Sequence, residues 1–293
     1  MKKITFPILS IIAIATAAIS VILRIISIFF FYDKLGYYQS GAPLPIIANI
    51  FLAIALVFLL AASIFSIDKR RKIQAPDKIS QYAALLPTGA LIFTAIRAIM
   101  GSLDGSTVNK FLFFISAILA AVFFILIFIK KQPFIATVYF GLAALVFVFF
   151  LWMNSYFDFF VPINSTDKIF HYLACAGGLL FIFGEICACY GSVNPRIYCF
   201  SIFTAVITLW VGAVPSLVGF FSNTFVKYVT LEGDVFFTAL AIYATVRIVM
   251  LMKAPIELIP ETVEASIEKT EEKSEEAEEK NEKAQESNTN DGE

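Results

Sequence analysis

The sequence predicts an all-α polytopic membrane protein, a bundle of about eight transmembrane helices with both termini in the cytoplasm. Of its 293 residues, 59% are hydrophobic and 15% are charged, whereas soluble domains average about 45–50% apolar and about 25% charged residues. Apolar runs of about 20 residues, the length that crosses a bilayer core of about 30 Å, recur along the chain. These runs lack the alternation of a barrel strand, so we expect helices.

Eight apolar runs, separated by charged or turn-forming clusters, are predicted to cross the membrane. They are about residues 6–31, 45–67, 82–101, 111–129, 134–156, 169–190, 197–220 and 235–252. The third is the weakest because it carries Pro87 and Arg97, and Pro215 is expected to kink the seventh helix or to end it one turn early. The first run is longer than the apolar region of a signal peptide, about 7–15 residues, so we expect it to be retained.

Lysines and arginines near the ends of the runs predict the orientation, because cytoplasmic loops carry an excess of both. Eleven of them lie on one side of the eight-span arrangement and four on the other. The larger group comprises Lys2, Lys3, Lys69, Arg70, Arg71, Lys72, Lys78, Lys130, Lys131, Arg196 and Lys253. We therefore assign that side to the cytoplasm, and we expect the protein to lie in a bacterial inner or plasma membrane.

The net charge of −1 conceals two regions of opposite charge. Residues 1–253 hold 18 of the 22 Lys and Arg and 9 of the 23 Asp and Glu, a net charge of +9, and residues 254–293 carry −10. We divide the chain into a transmembrane domain, 1–253, and an acidic cytoplasmic tail, 254–293. The tail's composition cannot bury enough apolar surface to offset chain entropy, so disorder or transient helix is expected. It could bind a protein partner or the basic residues of segment 69–78, or be a solvated spacer.

The loops and motifs exclude most kinds of catalytic site. No predicted loop exceeds about 14 residues, and the chain has one histidine. It contains no phosphate-binding glycine pattern, no His-Glu-x-x-His and no Gly-x-Ser-x-Gly. We therefore expect no cofactor, no metal site and no nucleic-acid partner. The expected partner is the lipid bilayer, and a non-catalytic role is favoured over an enzyme.

Ionisable residues inside the spans are the first candidates for function, because each is unfavourable in lipid by about 2.5–3.5 kcal/mol. Arg24 and Arg97 fall in the outer halves of the first and third helices, and Glu185 and Arg247 fall near the cytoplasmic ends of the sixth and eighth. For Arg247 two interpretations are open. Its side chain either extends to the cytoplasmic headgroups or pairs with Glu185, the only acid well inside a span.

Further polar residues collect at the outer end of the predicted bundle. Asn154 and Asp158 end the fifth helix, and Lys168 and His171 begin the sixth. Arg24, Arg97, Lys168 and His171 could ring an outward-facing pocket that attracts a small anionic or lipidic solute.

A different interpretation makes the same outer level a belt of ion pairs. Asp33, Asp104 and Asp158 lie there and could neutralise the arginines, which we favour for at least one of them. Asp167, which follows Ser165 and Thr166, is interpreted as part of a cap for the sixth helix.

One face of the sixth helix is predicted to contact other helices. At 100° per residue, small and polar side chains fall within about 40° of one line. They are His171, Cys175, Gly178, Ile182, Glu185 and Cys189. Small residues allow close approach and polar groups need partners, so this face either packs against neighbours or lines a cavity.

Several short segments resemble those of a known group of proteins. They are Trp152-Met153-Asn154, residues 168–173 (KIFHYL), residues 183–186 (FGEI), Pro215, and Arg24 followed by Asp33 and residues 36–38 (GYY). These segments are similar to ones in uncharacterised multi-pass membrane proteins of clostridia-like bacteria. The resemblance covers most of residues 1–253, and it implies no activity and no functional residue.

Two classes of function remain from the sequence. In the favoured one, the protein is a non-catalytic membrane scaffold or sensor with a cytoplasmic acidic tail. In the other, it binds or transports a small anionic or lipidic solute through an outward-facing cavity lined by Arg24, Arg97 and His171. An intramembrane enzyme that uses Glu185, His171 or Asp158 is a third alternative.

Overall fold

The computed structural model describes residues 5–32, 39, 41–100, 107–129, 135–157, 165–191, 193–222 and 231–254. These parts of the chain form nine α-helices. In chain order they are α1 (Thr5–Phe31), α2 (Pro43–Ser66), α3 (Lys78–Ala83), α4 (Leu85–Ile99), α5 (Thr107–Ile129), α6 (Ile135–Tyr156), α7 (Thr166–Tyr190), α8 (Pro195–Phe221) and α9 (Leu231–Lys253). The predicted tail lies outside the described residues, apart from Ala254.

Eight spans are long and apolar enough to cross a membrane, as predicted. Seven are single helices, and α3 and α4 together make the third span, Lys78–Ile99. The chain is therefore a multi-pass integral membrane protein with an all-helical fold. We refer to the end that carries Ile67, Gln74, Arg196 and Lys253 as the predicted cytoplasmic end, and to the opposite end as the predicted outer end.

Proline explains the break in the third span. α3 ends at Ala83 and α4 starts at Leu85. Pro87 has no N–H to donate to the carbonyl of Ala83, four residues earlier, so the hydrogen-bond ladder is interrupted there. The sequence located this weak point but did not show that the span divides into two helices.

Several predicted boundaries differ from the structure by a few residues. α8 continues through Pro215 to Phe221, so the proline does not end this helix. α7 begins at Thr166 rather than at residue 169, and α9 begins at Leu231 rather than at residue 235. The charged residues in these added turns therefore belong to the bundle and not to the outer loops.

Helix α8 occupies the interior and α2 the periphery. In the apolar window of α8, 78% of the residues are buried, against 17% for α2. α8 contacts α1, α2, α7 and α9, whereas α2 contacts α1 and α8. In the rest of the bundle, α6 packs between α5 and α7, and α4 packs against α5 and α9.

The outward surfaces are apolar, as a lipid-facing surface must be. α1 and α2 expose large side chains such as Ile11, Phe30, Ile54 and Phe65. The predicted inward face of α7 is confirmed over most of its length, because it is buried from His171 to Glu185. Apolar side chains thus lie on the outward surface, where lipid would surround them. The polar side chains face other helices.

Candidate functional site

The predicted outer end contains a buried charge cluster centred on Arg24 of α1. Arg24 is 3% exposed, and its Nη2 donates to Oδ1 of Asp167 at 2.6 Å. Its guanidinium also stacks on the ring of Phe170, 4.0 Å from the ring centroid. Ser216 donates from Oγ to the same Asp167 oxygen at 2.7 Å. Helices α1, α7 and α8 are thus joined by one charged group and its partners.

Pro215 explains why an arginine is needed at this place. A proline inside a helix leaves the carbonyl four residues earlier without its usual N–H donor, and that carbonyl belongs to Val211. Nη1 of Arg24 donates to the carbonyl oxygen of Val211 and, at 3.1 Å, to that of Gly212. The guanidinium therefore satisfies a backbone group that α8 cannot satisfy by itself.

A small cleft lies beside Arg24, between α1, α2, α7 and α8. It is lined by Ser20, Arg24, Ser27, Ala48, Asn49, Leu52, Phe170 and Val211. Its free space is enough for about one water-sized group. Neither Arg97 nor His171 is among its lining residues, so this cleft is not the predicted cavity that Arg24, Arg97 and His171 would share.

Arg97 forms a second ion pair at the predicted outer end. Its Nε lies 2.5 Å from Oε1 of Glu232 in α9, and the two side chains are 33% and 2% exposed. The Arg97 guanidinium is also 6.0 Å from the ring of Phe93. The belt of ion pairs that we favoured therefore exists for Arg24 and Arg97, but Asp167 and Glu232 supply the carboxylates.

The other predicted outer residues are placed as follows. Lys168 and His171 are buried in α7, and the His171 ring packs edge-on against Phe237 with the centroids 5.4 Å apart. Asn154 is exposed near the end of α6. Asp158 lies outside the described residues, as do Asp33 and Asp104.

A second buried charge cluster lies at the predicted cytoplasmic end, around Glu185 of α7 and Arg247 of α9. Nε of Arg247 donates to Oε1 of Glu185 at 3.2 Å, and both side chains are 1% exposed. The hydroxyl of Tyr198 donates to Oε1 of Glu185, and that of Tyr243 donates to Oε2 at 2.8 Å. The predicted Glu185–Arg247 pair is thus confirmed, and the alternative that Arg247 extends to the headgroups is wrong.

This cluster also holds the connection between α2 and α3. Nη2 of Arg247 donates to the carbonyl oxygen of Gln74. At the start of the same connection, Nε of Arg196 donates to the carbonyl oxygen of Ile67 at 2.9 Å. The connection is therefore held at its start by an arginine from α8 and near its end by an arginine from α9.

The connection ends at Asp77, the N-cap of α3. Its carboxylate accepts hydrogen bonds from the backbone N–H groups of Ile79 and Ser80 and from the Ser80 hydroxyl. Partial burial raises the pKa of Asp77, but these hydrogen bonds and the nearby charge of Arg247 outweigh it and hold the pKa below its usual range. Hydrogen bonds to the charged form favour that form, and this explains the direction.

Replacing Asp77 with Ala is expected to lower the free energy of unfolding by about 1 kcal/mol at pH 7, the usual effect of losing an N-cap. Because the pKa is lowered on folding, this stabilisation is present above the unfolded pKa of about 3.9 and is lost as the pH falls through the lower folded-state pKa. Thermal unfolding in detergent at pH 7 and at about pH 3 measures the loss of stability and its decrease at low pH. Asn194, which caps α8 by accepting from the N–H of Arg196, does not titrate. The Asn194→Ala variant should therefore lose the same stability at both pH values, and a similar pattern for Asp77→Ala would contradict the assignment.

Sequence reasoning missed several residues of these clusters. Asp167 was interpreted as a cap, but the structure pairs it with Arg24, and Ser165, at the N-cap position, makes no side-chain capping hydrogen bond. Glu232 and Asp234 were placed before the eighth span and are buried in α9. One signal could have located the Arg24 site, since Pro215 frees the carbonyl of Val211 for a distant donor.

The two clusters lie too far apart to act together. Glu185 and His171 are 14 residues apart in α7, which is about 21 Å along a helix, so no single small substrate reaches both. Among the residues described by the structure, no group of three or more His, Cys, Asp or Glu is placed to hold a metal ion. The two charge clusters can therefore join helices by ion pairs and hydrogen bonds at both ends of the bundle.

Compared with models of protein families, with curated proteins and with solved structures, the chain matches none. The resemblance to membrane proteins of clostridia-like bacteria therefore stays a prediction from the sequence.

Proposed function

We propose that this protein is a non-catalytic membrane scaffold. In this proposal the bundle anchors a basic connection, residues 67–77, and an acidic tail at the cytoplasmic surface. One observation carries the proposal. The backbone of the connection is held at Ile67 by Arg196 and at Gln74 by Arg247, so the bundle fixes where this basic segment leaves it and returns.

The charges inside the bundle support a structural role. Arg24, Arg97 and Arg247 each pair with a carboxylate of another helix. A buried pair that is hydrogen-bonded on both sides joins its helices, because separating the partners leaves an uncompensated charge. In this proposal such charges hold the bundle together, and the tail and the connection make the external contacts.

Complementary charge identifies what the tail would bind. Residues 254–293 carry a net charge of −10, and Lys69, Arg70, Arg71 and Lys72 follow one another in the connection. An acidic tail is repelled by an anionic inner leaflet and attracted by a basic segment. We therefore infer that the tail binds the connection in cis.

Carbodiimide cross-linking of the full chain tests this proposal, because the reagent joins a lysine amine to a carboxylate in direct contact. At about 0.01 M salt, where the Debye length is about 30 Å, we expect cross-links from Lys69 and Lys72 to glutamates of the tail. At about 1 M salt, where the Debye length is about 3 Å, these cross-links should largely disappear. Mass spectrometry of the peptides measures the yields.

Lys130 and Lys131, a basic pair in another connection on the same predicted side, are the matched control within the chain. They should cross-link to the tail several-fold less than Lys69 and Lys72 do. Equal yields at both pairs, or yields that do not change with salt, would contradict specific binding of the tail.

A further inference from the structure

One serine of α1 differs from the others in its hydrogen bonding. Ser10 and Ser27 donate from Oγ to the carbonyl oxygens of Phe6 and Leu23, one helical turn earlier, each at 2.8 Å. Ser20 is 4% exposed, yet its Oγ has no hydrogen-bond partner among the described residues. A buried hydroxyl without a partner is unfavourable by about 1–3 kcal/mol, so it indicates that something else occupies this place.

Arg24, one turn further along α1, presents a second donor of the same kind. Its two terminal nitrogens are engaged by Asp167, Ser216 and the carbonyl oxygens of α8, but its Nε is buried and finds no acceptor in the described part of the chain. Ser20 and Arg24 both line the cleft between α1 and α2. Two donors separated by one turn therefore share a single small space.

The chemistry of the missing group follows from these donors. The Arg24 Nε–H can only donate and the Ser20 hydroxyl can donate as well, so one acceptor oxygen can satisfy both groups. Asp167 already offsets the charge of Arg24 at 2.6 Å, so the acceptor need not be an ion. The cleft holds about one water-sized group, which is the space of a carbonyl or carboxylate oxygen.

The position of the cleft indicates where such an oxygen would come from. It opens beside α2, the most peripheral span, where Asn49 is exposed among the exposed Ile46, Ile47 and Ile50. Arg24 lies seven residues before the end of α1 at Phe31, about 10 Å along the helix axis. α1 is about 40 Å long against a hydrocarbon core of about 30 Å, so the cleft lies just below the boundary between headgroups and acyl chains.

We propose that this cleft is a binding site for an acyl lipid, whose carboxylate or ester oxygen accepts hydrogen bonds from Ser20 Oγ–H and Arg24 Nε–H. The cleft accommodates only the accepting oxygen, and the acyl chain lies outside it against the exposed Ile46 and Ile50 of α2. Asn49 stands at the opening and contacts the rest of the headgroup. This site does not depend on the scaffold proposal, since it lies at the opposite end of the bundle.

Thermal shift of the purified protein in detergent tests the site with three probes. They are oleate, which carries a carboxylate, methyl oleate, which carries an ester, and hexadecane, which has no oxygen. We expect oleate or methyl oleate to raise the melting temperature of the wild type more than hexadecane does. A shift with both assigns an ester or acid carbonyl, as in a phospholipid, and a shift with oleate alone assigns the carboxylate of a free fatty acid.

Ser20→Ala is the decisive variant, because it removes one donor and also a buried hydroxyl without a partner, so the protein should fold at least as well. It should weaken binding about tenfold, the effect of about one hydrogen bond to a ligand oxygen. Ser27→Ala is the matched control. Ser27 lines the same cleft, but its hydroxyl is already bonded within α1. The affinity of the Ser27→Ala variant for the probe should therefore stay within about twofold of the wild type. Equal binding by the wild type and Ser20→Ala, or no shift beyond that of hexadecane, would overturn the proposal and leave water as the acceptor.

Discussion

Arg247→Met is expected to lower the free energy of unfolding by about 3–5 kcal/mol, the largest effect of any single substitution considered. Removing one partner of a buried pair leaves the other charge uncompensated. Here the remaining charge is Glu185, which is 1% exposed and would keep only the hydroxyls of Tyr198 and Tyr243. The hydrogen bond to the carbonyl of Gln74 would also be lost. Equilibrium unfolding in mixed micelles measures the change.

Two further variants separate the ion pair from its surroundings. Glu185→Gln with Arg247→Met removes both charges and should recover part of the loss, since replacing both partners is far less harmful than removing one. Tyr243→Phe removes one hydrogen bond to the carboxylate and should lower stability by about 1.5–3 kcal/mol. A loss below about 1 kcal/mol for Arg247→Met would contradict a stabilising role for this buried pair.

Gly212→Ala is expected to lower stability by about 2–3 kcal/mol, because it overpacks the contact between α7 and α8. A Cβ at Gly212 would lie 2.6 Å from Cβ of Ala174 and 2.9 Å from the carbonyl oxygen of Phe170. Part of this obstacle is backbone, which cannot turn aside as a long side chain does, so the helices must separate. Their separation would also disturb the hydrogen bond from Arg24 to the Gly212 carbonyl.

Gly89→Ala is the matched control for this substitution. Gly89 is in the helical interior of α4, and a Cβ there meets nothing within 4 Å. Alanine has a higher helix propensity than glycine by about 1 kcal/mol, so this variant should be as stable as the wild type or slightly more so. If Gly89→Ala and Gly212→Ala change the melting temperature in detergent equally, close helix packing is not the cause.

The membrane spans could be predicted well because each is a local property of the sequence. The length and hydropathy of a run decide whether it crosses the bilayer, whatever its neighbours are. The predicted ends are therefore within a few residues of the helices, as for 6–31 against α1 and 134–156 against α6. The starts of α7 and α9 were predicted too late, at residues 169 and 235 instead of Thr166 and Leu231. Charged residues there were taken to mark loops, although partners in other helices compensate them.

Partners in the two charge clusters were harder to predict. Glu185 and Arg247 could be paired because they are the only opposite charges at a similar depth near the cytoplasmic end. The partner of Arg24 could not be found in this way, because Asp167 begins a helix, and such a residue either caps its own helix or points at a neighbour. The rotation of α7 about its axis decides between the two, and packing sets that rotation.

By itself, the sequence determined that this chain crosses the membrane in eight helical spans and which of its residues are unfavourable in lipid, because both follow from transfer of short segments from water to hydrocarbon. Only the tertiary structure decided how each unfavourable group is satisfied. Arg24 meets Asp167 across 143 residues and the carbonyl of Val211 across 187. Contacts at such separations depend on the mutual orientation of packed helices. The same orientation leaves two donors, on Ser20 and Arg24, at one small cleft between α1, α2, α7 and α8.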